Sequence, residues 1–79
     1  MNNSLKQNTM TRQKFLTGDK VVLKRKWQLL YNGIGNREGT VIEIENVPQR
    51  LKYWVVFEGK KFSKELYSYQ LDLVYSAYD

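Results

Sequence analysis

Residues 51–57 read Leu-Lys-Tyr-Trp-Val-Val-Phe and are the most strand-like stretch of the chain, and Glu58-Gly59-Lys60 follows them directly. Aromatic and β-branched side chains favour strands, and a short turn with glycine is typical of a hairpin. Successive side chains of a strand point to opposite faces. The side chains expected in the core are Tyr53, Val55 and Phe57. Those expected on the outer face are Lys52, Trp54, Val56 and Glu58.

Four other segments are short, rich in strand-forming residues and bounded by turn signals. They are 20–24, 40–45, 61–66 and 72–75, and one helical turn is expected at 68–71. Residues 25–38 contain glycines and no regular hydrophobic period, which predicts a long loop instead of a helix. The residues expected to fold back from this loop onto the body are Trp27, Leu29, Leu30 and Tyr31. The pattern predicts an all-β fold, a small five-stranded barrel with a short 3-10 turn before the last strand.

The ends of the chain differ in composition from its middle. Residues 1–14 are mostly polar and carry three basic side chains, so we expect a flexible, disordered N-terminal arm. The barrel is predicted over residues 15–75, and residues 76–79 form a C-terminal tail. With 79 residues, the chain has room for one small domain.

Composition excludes several kinds of chemistry. The sequence contains neither cysteine nor histidine, so disulfides and thiolate or imidazole metal sites are ruled out. Glu43 and Glu45 have no evident acid–base partner, and no serine has a histidine to activate it. We expect a non-catalytic protein with no metal and no small-molecule cofactor. No apolar run approaches the length of a membrane span, so we expect a cytoplasmic protein that does not contact membranes.

Positive charge is concentrated at the front of the chain. The formal net charge is +5, and residues 1–26 hold seven basic residues and one acid. Residues 27–79 hold six basic residues and seven acids. This asymmetry favours nucleic acid or an acidic protein surface as the partner.

Two segments resemble a known superfamily. Gly18-Asp19-Lys20-Val21-Val22-Leu23, a long loop and Gly39-Thr40-Val41-Ile42-Glu43-Ile44 resemble the KOW-type opening of SH3-like barrels. Tyr69-Gln70-Leu71-Asp72-Leu73-Val74 is similar to the end of that fold, a helical turn that leads into a final strand. The departure lies at residues 27–31, where the KOW pattern has a compact glycine-rich connection. KOW-like domains of ribosomal proteins and elongation factors contact RNA or protein, so the resemblance implies a binding module.

Two further groups of SH3-like proteins are similar at a more general level. The long first loop and the closing turn resemble the small stromal subunit of photosystem I. The composition, rich in lysine, asparagine and tyrosine, is similar to that of small phage and plasmid proteins. The second resemblance implies a mobile-element origin.

The strongest candidate site combines consecutive cations with aromatic rings. Lys24, Arg25 and Lys26 are suited to phosphates, while Trp27 and Tyr31 are suited to stacking on unpaired bases. The residues expected to extend this surface are Arg37, Lys60 and Lys61, with Arg50 and Lys52 as further candidates. This pattern predicts non-specific binding of RNA or single-stranded DNA. The alternative is that the rings only cap a small core.

A second function remains open, that of a protein-interaction module. An outward Trp54 beside Val56, together with Leu29 and Leu30, would form an apolar contact surface. Such a module would act as an adaptor or as an inhibitor of a host complex, and either a monomer or a homodimer is compatible with the sequence. Two other sites are disfavoured: residues 33–39 miss the dinucleotide-loop spacing, and the six tyrosines lack an acid placed for an aromatic cage.

Overall fold

The computed structural model describes residues 14–47 and 50–77 and shows a five-stranded antiparallel β-fold. Its elements in chain order are β1 (Lys20–Leu23), α1 (Arg25–Leu30), β2 (Gly39–Val47), β3 (Arg50–Phe57), β4 (Lys64–Tyr67), a 3-10 turn (Ser68–Gln70) and β5 (Leu71–Tyr75). The all-β class, the five strands and the 3-10 turn before the last strand are confirmed. Predictions for the arm before residue 14, the turn at Pro48 and Gln49 and the last two residues of the tail lie outside the described residues.

All five strands belong to one sheet, in the order β4-β3-β2-β1-β5. Its longest pairing joins β2 to β3, from Gly39 opposite Phe57 to Val47 opposite Arg50. This pairing contains a bulge, since Val41 pairs with Val55 and Glu43 with the next residue along, Trp54. Ile42 is the extra residue, so each later side chain of β2 lies on the sheet face opposite to the one that regular alternation would give it.

The core lies against one face of this sheet. Tyr53, Val55 and Phe57 are buried, as the alternation in β3 predicts. The other members of the core are Phe15, Val21, Leu23, Val41, Leu51, Leu66 and Leu71, all at most 5% exposed. Because these residues come from all five strands and the described chain has no second sheet, the sheet curves around its own buried face. We call that face concave and the outer face convex.

The beginning of the fold is tied to the sheet by Tyr53 and Asp19. The Tyr53 hydroxyl accepts a hydrogen bond from the backbone N–H of Lys14 at 2.9 Å, and the Phe15 ring meets the Tyr53 ring edge-on. The buried Asp19 carboxylate accepts the backbone N–H groups of Leu16 and Ala77, both at 2.9 Å. This single side chain therefore joins the residues before β1 to those after β5.

The segment after β1 differs from its prediction as a loop. It contains helix α1, which ends at Leu30, just before the glycines that start at Gly33. Six residues are too few to show a helical period or to be stable alone, so tertiary contacts stabilise this helix. The Gln28 side chain donates to the Leu23 carbonyl at 2.8 Å.

Helix geometry decides which apolar side chains of α1 reach the body. Trp27 and Tyr31 are four residues apart, so they share one face and pack against the core. Leu29 and Leu30 point elsewhere and are largely exposed. The prediction that they fold back onto the body is wrong for this reason.

The returning strand of the hairpin begins later than predicted, at Lys64 instead of residue 61. After β3, Glu58 donates its N–H to the Glu38 carbonyl at 2.9 Å, and Lys60 donates to the Phe57 carbonyl at 3.0 Å. These bonds turn the chain and attach it to the segment before β2. Pairing with β3 resumes only where Lys64 faces Val55.

Candidate functional site

Four aromatic rings form a continuous series along the surface. Trp27 stacks on Tyr31 with ring centroids 6.3 Å apart, and its other neighbour is Tyr69, whose ring meets it edge-on at 5.9 Å. Tyr69 in turn stacks on Tyr67 at 5.9 Å with nearly parallel planes. We call Tyr31, Trp27, Tyr69 and Tyr67 the aromatic ladder. Tyr69 is its most exposed ring, at 54%.

Cationic side chains lie over three of these rings. The Lys64 ammonium is 4.4 Å from the Tyr31 ring centroid, and the Lys26 ammonium is 5.4 Å from that of Trp27. At the other end, the Arg50 guanidinium lies 4.9 Å from the Tyr67 ring. A cation over a ring face is attracted by the electron density of that face. The ladder therefore combines flat apolar surface with positive charge.

Two short elements place the ladder rings side by side. Helix α1 carries Trp27, Tyr31 follows its last residue, and the 3-10 turn carries Tyr69. The backbone N–H of Lys24 donates to the Gln70 carbonyl at 2.8 Å, which attaches the start of α1 to the end of the turn. The Gln70 side chain is buried, and its oxygen accepts the Tyr67 N–H at 2.8 Å. These two bonds bring rings from distant parts of the sequence together.

The three consecutive cations predicted from sequence have separate environments. Lys24 forms an ion pair with Asp72, with its ammonium 2.6 Å from the carboxylate oxygen. Arg25 and Lys26 are exposed in the first turn of α1, and only Lys26 lies over a ladder ring. Because successive helix residues point in different directions, these side chains do not form a straight stripe.

The other predicted cations lie where two loops meet. Arg37 donates from its guanidinium to the Glu58 carbonyl at 3.2 Å. Lys60 and Lys61 are exposed in the β3–β4 loop. The Lys60 ammonium approaches Gly33, at 3.8 Å from where a β-carbon would stand. The α1–β2 and β3–β4 loops therefore share one basic end of the molecule.

The residues predicted for the alternative protein-binding site come from two elements: Leu29 and Leu30 belong to α1, whereas Trp54 and Val56 belong to β3. Trp54 and Val56 are half-buried on the convex face of β3. Trp54 stands directly between Glu43 of β2 and Glu65 of β4. The Lys52 ammonium lies 5.8 Å from the Trp54 ring and 3.7 Å from the nearer Glu65 oxygen. Lys52 is therefore held among acids instead of extending the basic surface.

The sequence alone points to neither Lys64 nor Phe62, and it offers Tyr67 and Tyr69 only as parts of a cage. Lys64 reaches Tyr31 from the start of β4, and no local spacing relates the two. Phe62 is the most exposed large apolar side chain in the described chain, at 83%, and it lies between Lys61 and Lys64. The run Lys60-Lys61-Phe62 repeats the combination of cation and aromatic ring seen at Lys26-Trp27. This repetition is the sequence signal that could have identified Phe62 as a candidate.

Within residues 14–47 and 50–77, no group of three or more acidic side chains is placed to hold a metal ion. None of the helices there is long and apolar enough to cross a membrane. Comparison with protein-family models, with curated proteins and with solved structures finds no match for this chain.

Proposed function

We propose that this protein is a non-catalytic module that binds single-stranded nucleic acid, RNA or DNA, without sequence preference. The observation that carries the proposal is the aromatic ladder with Lys26, Arg50 and Lys64 placed over its rings. Proteins of this kind combine cations that follow the phosphates with aromatic rings on which bases stack. A ring face accepts any base, and for this reason such binding tolerates different sequences.

The charge around the ladder selects for an anionic partner. A cage for a methylated lysine or another quaternary ammonium also uses several aromatic rings, with the ligand cation over their faces. Here protein cations already occupy that position on Tyr31, Trp27 and Tyr67. A cationic ligand would be repelled, whereas a phosphate backbone attracts the same groups. The KOW-type resemblance supports this choice, because contact with RNA is one of the roles of those domains.

The test is a fluorescence-anisotropy titration of labelled RNA and DNA single strands at several salt concentrations. We expect Trp27→Ala to reduce affinity by about 1–3 kcal/mol, the value of one stacked base. Trp54→Ala is the matched control, since it removes the same side chain from the convex face and should leave affinity unchanged. Equal losses in both variants, or no binding by the wild type at low salt, would contradict the proposal.

The salt dependence tests the cations separately. Each phosphate neutralised on a single strand contributes a slope of about −0.7 in a plot of log affinity against log salt concentration. The triple variant Lys26→Ala, Arg50→Ala and Lys64→Ala should therefore reduce the slope by about 2 units. Lys52→Ala is the control, because Lys52 already lies near Glu45 and Glu65. If the triple variant had the same slope as the wild type, the assignment of these three cations to phosphates would be wrong.

One observation favours a second candidate, a protein-interaction module that uses the convex face. Trp54 is half-buried and flanked by Glu43 and Glu65, which combines an apolar centre with an acidic rim. Such a surface fits a partner whose own contact is apolar and basic. In a pull-down from the source cell, Trp54→Ala should then lose the captured partner while Trp27→Ala retains it.

A further inference from the structure

Phe62 is exposed at a position where a longer strand would direct it towards the core. Side chains two residues apart in a strand share a face, so a strand that began at residue 61 would place Phe62 on the same face as the buried Leu66. Instead, the chain bends at residues 61–62 and β4 begins only at Lys64. The Phe62 side chain is therefore 83% exposed. A single exposed apolar side chain is no evidence of function by itself, so its neighbours decide what it can bind.

The nearest neighbours of Phe62 along the chain are cations without acidic partners. Lys60 and Lys61 are exposed, and no ion pair among residues 14–47 and 50–77 includes either of them. Lys24 and Lys52, in contrast, both lie close to carboxylates. The β3–β4 loop, residues 58–63, contains one acid, Glu58, which pairs with neither lysine. The loop thus presents an aromatic ring beside two ammonium groups that are available to an anion.

This loop adjoins the Tyr31 end of the aromatic ladder. The Lys64 ammonium lies 4.4 Å from the Tyr31 ring centroid. Phe62 is only two residues before Lys64, and two residues of chain span at most about 7 Å. The Lys60 ammonium approaches Gly33, which follows Tyr31 by two residues. Both ends of the run 60–64 are therefore close to the segment that carries Tyr31.

We propose that Phe62 is a further stacking platform for the strand that binds the ladder, with Lys60 and Lys61 on the adjacent phosphates. This inference rests on the proposed function and adds a length requirement to it. A short strand covers the ladder alone, whereas a longer one continues past Tyr31 and places a base on Phe62. Available cations beside an exposed ring are the combination that single-stranded nucleic acid requires. The same charges favour this occupant over an apolar protein contact.

The test is an anisotropy titration with labelled oligothymidylates that range from about 4 to about 16 nucleotides. We expect Phe62→Ala to weaken binding of the longest oligomer about 5- to 150-fold, the effect of one stacked base, and to leave the shortest unaffected. Tyr75→Ala is the matched control, because it removes an exposed ring at the end of β5 away from the 3-10 turn and should bind every oligomer like the wild type. Urea denaturation should give Phe62→Ala the wild-type midpoint, since the side chain is exposed.

The lysines are tested by salt dependence. The double variant Lys60→Ala and Lys61→Ala should lower the slope of log affinity against log salt by about 1.4 units for the longest oligomer and leave it unchanged for the shortest. An unchanged slope for the longest oligomer would show that these lysines do not contact phosphates, contrary to the proposal.

Trp27→Ala distinguishes failure of this inference from failure of the proposed function. If Trp27→Ala weakened binding while Phe62→Ala bound the longest oligomer like the wild type, the proposed function would stand and the role of Phe62 would be wrong. Equal losses for Phe62→Ala at every length would also overturn the inference, since Phe62 would then belong to the ladder site itself. A wild type that bound no oligomer at low salt would overturn both.

Discussion

The Asp19 side chain links the residues before β1 to those after β5. Its carboxylate is 3% exposed, yet both oxygens are used: Oδ2 accepts the Leu16 N–H and Oδ1 accepts the Ala77 N–H. Its own backbone carbonyl also accepts the N–H of Val41 in β2. A buried polar group costs little only when such partners are present. Asp19 therefore stabilises the joint between the start and the end of the domain.

We predict that Asp19→Asn destabilises the protein by about 1–3 kcal/mol. The amide retains one acceptor oxygen and replaces the other with an NH2 donor, so one buried backbone N–H loses its partner. Urea denaturation measures the loss. The matched control is Asp72→Asn, which removes an exposed ion pair and should cost less than about 1 kcal/mol. If both substitutions lowered the free energy of unfolding by the same amount, Asp19 would have no special structural role.

Gly39 illustrates a different constraint on a single position. A β-carbon placed there would overlap the Val55 side chain and come within 2.8 Å of the Phe57 ring. Gly39 starts β2 and lies opposite Phe57, so the close approach of two strands depends on a missing side chain. In the sequence, this glycine is indistinguishable from those of the loop before it.

At the level of elements, the 3-10 turn connects the core to the aromatic ladder. Gln70 is buried, and it contributes a side-chain bond to Tyr67 and a backbone bond to Lys24. The side-chain bond holds the end of β4 against the turn that carries Tyr69. Stability and the geometry of the ladder therefore depend on the same residue.

We predict that Gln70→Ala weakens binding to single-stranded nucleic acid although Gln70 has no exposed ring or charge. The Tyr67 N–H loses its acceptor, and the turn that orients Tyr69 against Trp27 is less well held. The anisotropy titration described above measures the affinity, and urea denaturation should show a simultaneous loss of about 1–3 kcal/mol. Gln28→Ala, which removes a bond to Leu23 on the α1 side, is the comparison. Unchanged affinity for Gln70→Ala would mean that Tyr69 keeps its place without this bond.

At the scale of the whole molecule, all five strands share one hydrophobic core. Inward residues of all five strands and Phe15 belong to the same buried cluster, and Trp27, Tyr31 and Ile44 pack against it. Small domains with a single core unfold as one cooperative unit. The two tryptophans report on different regions of this unit, since Trp27 belongs to α1 and Trp54 to the convex face of β3.

We predict that the two tryptophans report the same unfolding transition. Trp27→Phe and Trp54→Phe each leave one indole, and their fluorescence in urea should follow the far-ultraviolet circular dichroism of the same variant. If Trp27 fluorescence reported a midpoint at a lower urea concentration than Trp54 fluorescence, this prediction would be contradicted. That result would show that α1 and the ladder unfold while the sheet is still folded.

The β2 strand marks the limit of what alternation predicts. A regular strand at 40–45 would place Val41 and Glu43 on the same face, so either an acid is buried or Val41 is exposed. The bulge resolves this conflict, because it directs Val41 and Ile44 towards the core side and Glu43 to the convex face opposite Trp54. The position of a bulge depends on the partner strand, and no residue of β2 encodes it alone.

Local sequence predicts the all-β class, the inward face of β3, the 3-10 turn before β5 and the basic residues at the start of α1. These features depend on local preferences and on the period of two in a strand, which neighbouring residues express directly. Three features depend on tertiary contacts: α1 is a helix, Lys24 pairs with Asp72, and Lys64 and Arg50 lie over the rings of Tyr31 and Tyr67. The ion pair and the cation–ring contacts join residues far apart in the chain, and a six-residue helix is not stable without contacts to the rest of the fold.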